Sequence, residues 1–167
     1  MAIEKVISGG QTGVDQAALD FAIRHGISHG GKCPKGRLSE NGRIPDRYQL
    51  VEVPAPTYPP RTEANVLESD ATVIFSVGSI NDEAGCLLTA SLCKKHGKKY
   101  AVIRLDDPDE SGSIRVLKEL LSGGDVKTLN VAGARGSRNP DVAKMARILE
   151  GGICGTGSSA GRDLSRT

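Results

Sequence analysis

Apolar residues follow two alternating rhythms along this chain. Short continuous runs occur around Ile3, Val6 and Ile7, from Tyr48 to Val53, at Thr72-Val-Ile-Phe-Ser-Val, at Tyr100-Ala-Val-Ile-Arg-Leu and at Thr128-Leu-Asn-Val-Ala. Their length and β-branched content predict strands, those at 72–77 and 100–105 buried on both faces. Between them the apolar residues recur at helical spacing: Val14, Ala17, Ala18, Phe21 and Ala22, then Arg61 to Ser69, Ala84 to His96, Ile114 to Leu121, and Pro140 to about Glu150. Gly26, Gly97 and the pair Gly123-Gly124 stand where helices would close. Strands alternating with helices predict an α/β fold, a mostly parallel, doubly wound sheet between two helical layers. The prolines at 54, 56, 59 and 60 are expected to keep the segment before Arg61 irregular. Residues 151–167 lack an apolar period and read as a flexible tail, which leaves 1–150 as one domain.

The turn after the first strand carries the main chemical signal, Ser8-Gly-Gly-Gln-Thr-Gly13 followed by Asp15. Strand, glycine-rich turn and helix aim free backbone N–H groups and a positive dipole end at one spot, which suits a phosphate or another oxyanion. Gly9, Gly10 and Gly13 leave the backbone approachable, and Ser8, Gln11 and Thr12 add side-chain hydrogen-bonding groups. The motif is neither a Walker A loop nor the G-x-G-x-x-G fingerprint. Ligands of doubly wound sheets bind at the carboxyl ends of strands. Four loops are expected there: Ser8–Gly13, Gly30–Arg37, Gly78–Glu83 and Gly133–Arg138. The polar stretch 27–47 reads as a long basic loop, in which Lys35, Gly36 and Arg37 could close over an anion.

Composition narrows the partners. Lys+Arg 22 against Asp+Glu 20 gives a formal net charge of +2, and aromatic residues are 3% of the chain with no Trp. That excludes a bulk electrostatic case for nucleic acid and a base-stacking platform. No run approaches the length of a membrane span, and Met-Ala-Ile-Glu-Lys leads straight into a strand, so the expected location is the cytoplasm. The four cysteines, 33, 86, 93 and 154, form no C-x-x-C pair and read as reduced thiols. His25, His29 and Cys33 are spaced by four, but Gly26 interrupts any helix between them, and no metal site is expected.

Five blocks carry a family resemblance: Ile7-Ser-Gly-Gly-Gln-Thr-Gly-Val-Asp-Gln-Ala-Ala-Leu-Asp20, Gly30-Gly-Lys-Cys-Pro-Lys-Gly-Arg37, Tyr58-Pro-Pro-Arg-Thr-Glu-Ala-Asn-Val66, Ser69-Asp-Ala-Thr-Val-Ile-Phe75 and Leu129-Asn-Val-Ala-Gly133. Together they resemble the bacterial molybdenum-carrier proteins, in the circularly permuted YpsA-like branch of the SLOG superfamily. That superfamily also holds the lysine-decarboxylase-like nucleotide phosphoribohydrolases. The resemblance implies a single Rossmann-like domain and a nucleotide-like or molybdenum-cofactor-like ligand with no other cofactor. It also implies a homo-oligomer, dimer or tetramer. Where the family commonly has Gly-Gly-Thr, this chain reads Ala84-Gly85-Cys86, and Gly-Pro-Arg becomes Gly133-Ala134-Arg135. The hydrolases' Pro-Gly-Gly-x-Gly-Thr loop is missing.

The expected ligand residues are therefore Ser8, Gly9, Gly10, Gln11, Thr12, Gly13, Asp15, Lys35, Gly36, Arg37, Arg61, Gly78 and Gly85. Arg61, at a helix start, suits bidentate contact with a phosphate. The first expectation for function is a carrier that holds a phosphorylated small molecule without transforming it. A nucleotide-processing hydrolase using Glu63 or Glu83 as acid or base is the alternative, and a nucleotide-ligand sensor is a third.

Overall fold

The computed structural model describes residues 3–155. In chain order the elements are β1 (Lys5–Ile7), α1 (Val14–Arg24), β2 (Ser28–Gly30), β3 (Lys32–Cys33), β4 (Leu38–Ser39), β5 (Gly42–Arg43), β6 (Val51–Glu52), α2 (Tyr58–Glu68) and β7 (Ala71–Ser76). They continue with α3 (Ala84–Lys95), β8 (Lys99–Arg104), α4 (Glu110–Leu121), β9 (Thr128–Gly133) and α5 (Val142–Leu149), which runs into a π-helical turn, Glu150–Cys154. The central sheet is parallel throughout, in the order β2-β1-β9-β7-β8. From β1 the chain moves outward one way and from β7 the other, and β9 then returns to the middle. The switch in direction lies across β1, β9 and β7, where a doubly wound sheet opens a crevice at its carboxyl ends.

Right-handed crossovers place α1, α4 and α5 on one face of the sheet and α2 and α3 on the other. The first face is filled. Val73 and Phe75 of β7, with Leu129 and Val131 of β9, pack there against Val14, Ala18 and Phe21 of α1, Leu117 of α4, and Met145 and Ile148 of α5. Ile74 points the opposite way, onto Cys86 and Ala90 of α3. Each such side chain contributes about 1.5–3 kcal/mol when fully buried. A small separate cluster of Leu19, Cys33, Ile44 and Tyr48 covers the outer side of α1.

Several elements depart from the sequence reading. Ser28-His-Gly30 is an edge strand of the main sheet, held by register with β1 and not by apolar side chains. The region beyond it is no open loop: β3 pairs with β6, and β4 with β5 as a hairpin. Pro59 and Pro60 belong to the first turn of α2, where a missing N–H has no intrahelical partner to lose. Helix α4 starts at Glu110 because the Asp109 side chain accepts from Gly112 N at 2.9 Å. Strand β8 is an edge strand, so Tyr100, Ala101 and Val102 are only half-buried. At the other end the helix continues past 150 to Cys154, with Gly152 buried and Ile153 against the core. The remaining tail residues, 156–167, lie outside the described part.

Candidate functional site

On β9 the alternation of side chains assigns the two faces different jobs. Leu129 and Val131 enter the core, while Asn130 and Ala132 face a cavity of about 400 Å³ under α2 and α3. Asn130 Nδ2 donates to Thr72 Oγ1 at 3.2 Å across the paired strands, which fixes a polar floor. The walls come from Gly9, Gln11 and Asp15 of the β1–α1 region, Tyr58, Arg61 and Asn65 of α2, residues 82–86 and Thr89 at the head of α3, and Gly133, Arg135 and Arg138 after β9. Three of the four loops expected at the strand ends meet here.

The glycine-rich turn does not present its amides as a free cradle. Gln11 N donates to the buried Asp15 carboxylate at 3.2 Å, Thr12 N to Gln11 Oε1 at 3.0 Å, and Val14 N to the Ala134 carbonyl at 3.0 Å. The glycines there serve close packing. A Cβ on Gly13 would strike the 134–136 backbone, and one on Gly10 would strike Leu50 and Ile44. Ser8 is buried and donates to the Val131 carbonyl at 2.6 Å, tying β1 to β9.

What the turn offers the cavity is two side chains and a slot. Gln11 is 5% exposed and Arg61 7%, and among the described residues the buried nitrogens Gln11 Nε2 and Arg61 Nε have no hydrogen-bond partner. An orphaned buried donor costs about 1–3 kcal/mol, so a ligand that fills both positions starts with that advantage. Gly9 leaves the room that Arg61 needs: a Cβ there would lie 2.7 Å from Arg61 Cδ and Cζ. The guanidinium reaches Asp15 at 3.5 Å and lies 5.2 Å over the Tyr58 ring, which also carries Arg135 at 5.5 Å. Burial raises the Asp15 pKa, outweighing the Arg61 charge and the hydrogen bond from Gln11 N.

The helix end that opens on the cavity belongs to α3. Its N-cap, Glu83, makes no side-chain cap; the carboxylate turns back to accept from Val77 N at 2.9 Å. Ala84, Gly85 and Cys86 follow along the wall, and a Cβ on Gly85 would meet nothing within 4 Å. First-turn N–H groups and the positive dipole end thus face the same space as Arg61 and Gln11. Arg138 closes the side, donating to the Val77 carbonyl at 3.1 Å and lying 3.9 Å from Glu83. Burial, then the Glu83 charge, push the Cys86 thiol up to about 12, which keeps it protonated.

Other residues expected at the site lie away from the cavity. Arg37 is buried with a positive φ of 55° and spends its guanidinium on the carbonyls of Ile44, Pro45 and Tyr48, at 3.2, 2.8 and 2.9 Å. It pins the excursion between β3 and β6 and does not line the cavity. Lys35 is exposed, and Gly36 N donates to Glu52 at 2.6 Å. Gly78 N donates to Asp106 at 3.1 Å, outside the cavity wall. Glu63 lies on the far side of α2 and meets His96 at 2.8 Å and Lys95 at 3.7 Å, so only Glu83 of the two candidate bases reaches the cavity. Thr12 joins a rim cluster with Glu40 and Ser137.

Sequence reasoning missed Tyr58, Asn65, Asn130 and Thr89. Only Asn130 carried a visible signal: a lone amide inside the apolar run Leu129-Asn-Val131 has to face something polar. Among the described residues no cluster of three or more His, Cys, Asp or Glu could hold a metal ion, and no helix is long and apolar enough to cross a membrane.

Fold and site together define a Rossmann-like α/β domain with a cavity lined by arginines and amides at the switch point of its sheet. Residues 6–152 match the model of the circularly permutated YpsA SLOG family, and the chain belongs to that family. It is similar in structure to a protein of Syntrophus aciditrophicus SB named "putative molybdenum carrier protein": 42% sequence identity, TM-score 0.85, covering 90% of this chain and 95% of that one. A search of curated proteins gave no match.

Proposed function

We propose that this chain is a small-molecule carrier of the molybdenum-carrier type, which holds a phosphorylated, nucleotide-like or molybdenum-cofactor-like ligand in the cavity beneath α2 and α3. The observation that carries the reading is a pair of buried polar residues lining one cavity, Arg61 and Gln11, in each of which a nitrogen has no hydrogen-bond partner among the described residues. An oxyanion group on the ligand accepts from Arg61 and Gln11 and meets the α3 N-terminus. The volume of about 400 Å³ suits a ligand of nucleotide size. Molybdenum, as cargo, is held through its oxygen atoms or through a cofactor phosphate. The donors around the cavity are N–H groups that match oxygen, and the Cys86 thiol stays protonated.

The test is native mass spectrometry of the full chain after incubation with molybdate, molybdopterin and a panel of mono- and dinucleotides. Retention of one phosphorylated or oxyanionic species, weakened at least about tenfold by Arg61→Met, is the expected result. No retained species at micromolar protein overturns it. A second reading, hydrolysis of a nucleotide, rests on the burial of Glu83 in the cavity wall. Release of base or phosphate from such a panel, lost in Glu83→Gln, would favour it.

A further inference from the structure

Beside the cavity mouth the chain binds one of its own carboxylates as it would bind a ligand. Glu40 sits at the tip of the β4–β5 hairpin. Its carboxylate accepts from Thr12 Oγ1 at 2.6 Å, from Ser137 N at 2.9 Å and from Ser137 Oγ at 2.9 Å. Gly136 N donates to Thr12 Oγ1 at 3.0 Å, which turns the hydroxyl proton toward Glu40. Two hydroxyls and a backbone amide converging on two oxygens form an oxyanion cradle, and among the described residues no arginine or lysine forms an ion pair with the carboxylate in it.

The cradle communicates with the cavity through one side chain. Gln11 Oε1 accepts from Glu40 N at 2.9 Å, and Gln11 also lines the cavity, its buried Nε2 without a partner among the described residues. The hairpin itself is slight. Each strand has two residues, and Leu38, Asn41, Gly42 and Arg43 are exposed, so little beyond Glu40 holds its tip down.

We infer that Glu40 is a tethered competitor in a second oxyanion subsite, and that the ligand of the cavity carries two anionic groups, the second of which displaces Glu40 from Thr12 and Ser137. The inference rests on the oxyanion reading of the cavity. The first group fills the Arg61 and Gln11 donors. Rotation of the Gln11 amide to meet it loosens the Glu40 N–H, and the second group then takes over the cradle and frees the hairpin. A ligand with one oxyanion leaves Glu40 in place. The ligand class is thus a diphosphate or a comparable bis-anion.

Calorimetric titration of the full chain with pyrophosphate and, separately, with inorganic phosphate tests this. Glu40→Ala is expected to tighten pyrophosphate about tenfold and leave phosphate unchanged, and adding Thr12→Val is expected to remove the gain. In the unmutated protein, pyrophosphate but not phosphate is expected to speed amide hydrogen exchange at residues 39–43, a readout independent of any variant. Pyrophosphate affinity equal with and without Glu40, or hairpin exchange that ignores pyrophosphate, overturns the inference. If both anions still bind and Arg61→Met abolishes that binding, only the second subsite falls. If neither anion binds any variant, the cavity reading falls with it.

Discussion

The two faces of the sheet are built from the same strands to opposite ends. Toward α1, α4 and α5 the strands send Val73, Phe75, Leu129 and Val131 into a closed apolar layer. Toward α2 and α3 they send Ile74 onto Cys86 and Ala90, but beside it Asn130 and Ala132 face a cavity. One residue along a strand changes face, so a period of two suffices to place stability and recognition on opposite sides. The filled face can afford the empty one. The hollow side keeps two buried donors without partners among the described residues and a buried carboxyl, which cost stability.

Truncation is the strongest way to break the comparison. Phe75→Ala removes a fully buried ring from a close-packed layer and is expected to cost about 3–5 kcal/mol in urea unfolding. Leu88→Ala, on the cavity wall, only widens an existing space and is expected to cost about 1 kcal/mol. Equal losses would mean that the two faces contribute alike.

Gly9→Ala sharpens the contrast from the cavity side. The backbone at Gly9 is not in the left-handed region, so alanine is tolerated there, but its methyl displaces Arg61. Anion binding is expected to fall about tenfold while unfolding free energy changes by less than about 1 kcal/mol. Unfolding and pyrophosphate titration of the same preparation check both halves, and a large loss of stability with binding intact would reverse the assignment.

The smallest effect is a matter of sign. Asp15, in the cavity wall, has its pKa raised by burial. The stability linked to it is present below the unfolded value of about 3.9 and is lost as pH rises through the raised folded value. Glu63, outside on α2, is held below the usual range first by its hydrogen bond to His96 and then by the Lys95 charge. Its contribution is present above about 4.3 and lost as pH falls through the depressed value. Asp15→Asn is thus expected to flatten the stability profile above about pH 4, and Glu63→Gln to flatten it below. Urea midpoints measured across pH 3–7 separate them, and slopes of the same sign would contradict the placement of one of the two.

Much of the fold was legible because its inner strands and first helix obey simple periods. Continuous apolar runs mark β7 and β9, and the 3–4 spacing of Val14, Ala18 and Phe21 marks α1. The region 28–52 was opaque for a physical reason. Its order comes from individual polar links, such as Arg37 to three carbonyls and the Asn65 amide clasping both backbone groups of Lys32 at 2.8 and 3.0 Å. Such links leave no period in the sequence. Among the arginines the same ambiguity decided the site. Arg37 and Arg61 are both buried beside glycines, and only the three-dimensional partners reveal that one holds three carbonyls of its own loop while the other lines the cavity. Glu40 gave no signal at all, since its partners are 28 and 97 residues away.

β9 has one more consequence, for how the molecule comes into being. Among the described residues it is the last strand in chain order and the middle one in the sheet. Until Thr128–Gly133 leaves the ribosome, β1–β2 and β7–β8 exist as two separate ribbons, each with an unpaired edge turned toward the place β9 will take. No amino-terminal fragment that stops short of β9 can close the sheet, nor bring together the cavity walls that β1 and α3 contribute. Closure of the sheet therefore waits for β9, and a nascent chain stalled before residue 128 exposes both sticky edges at once.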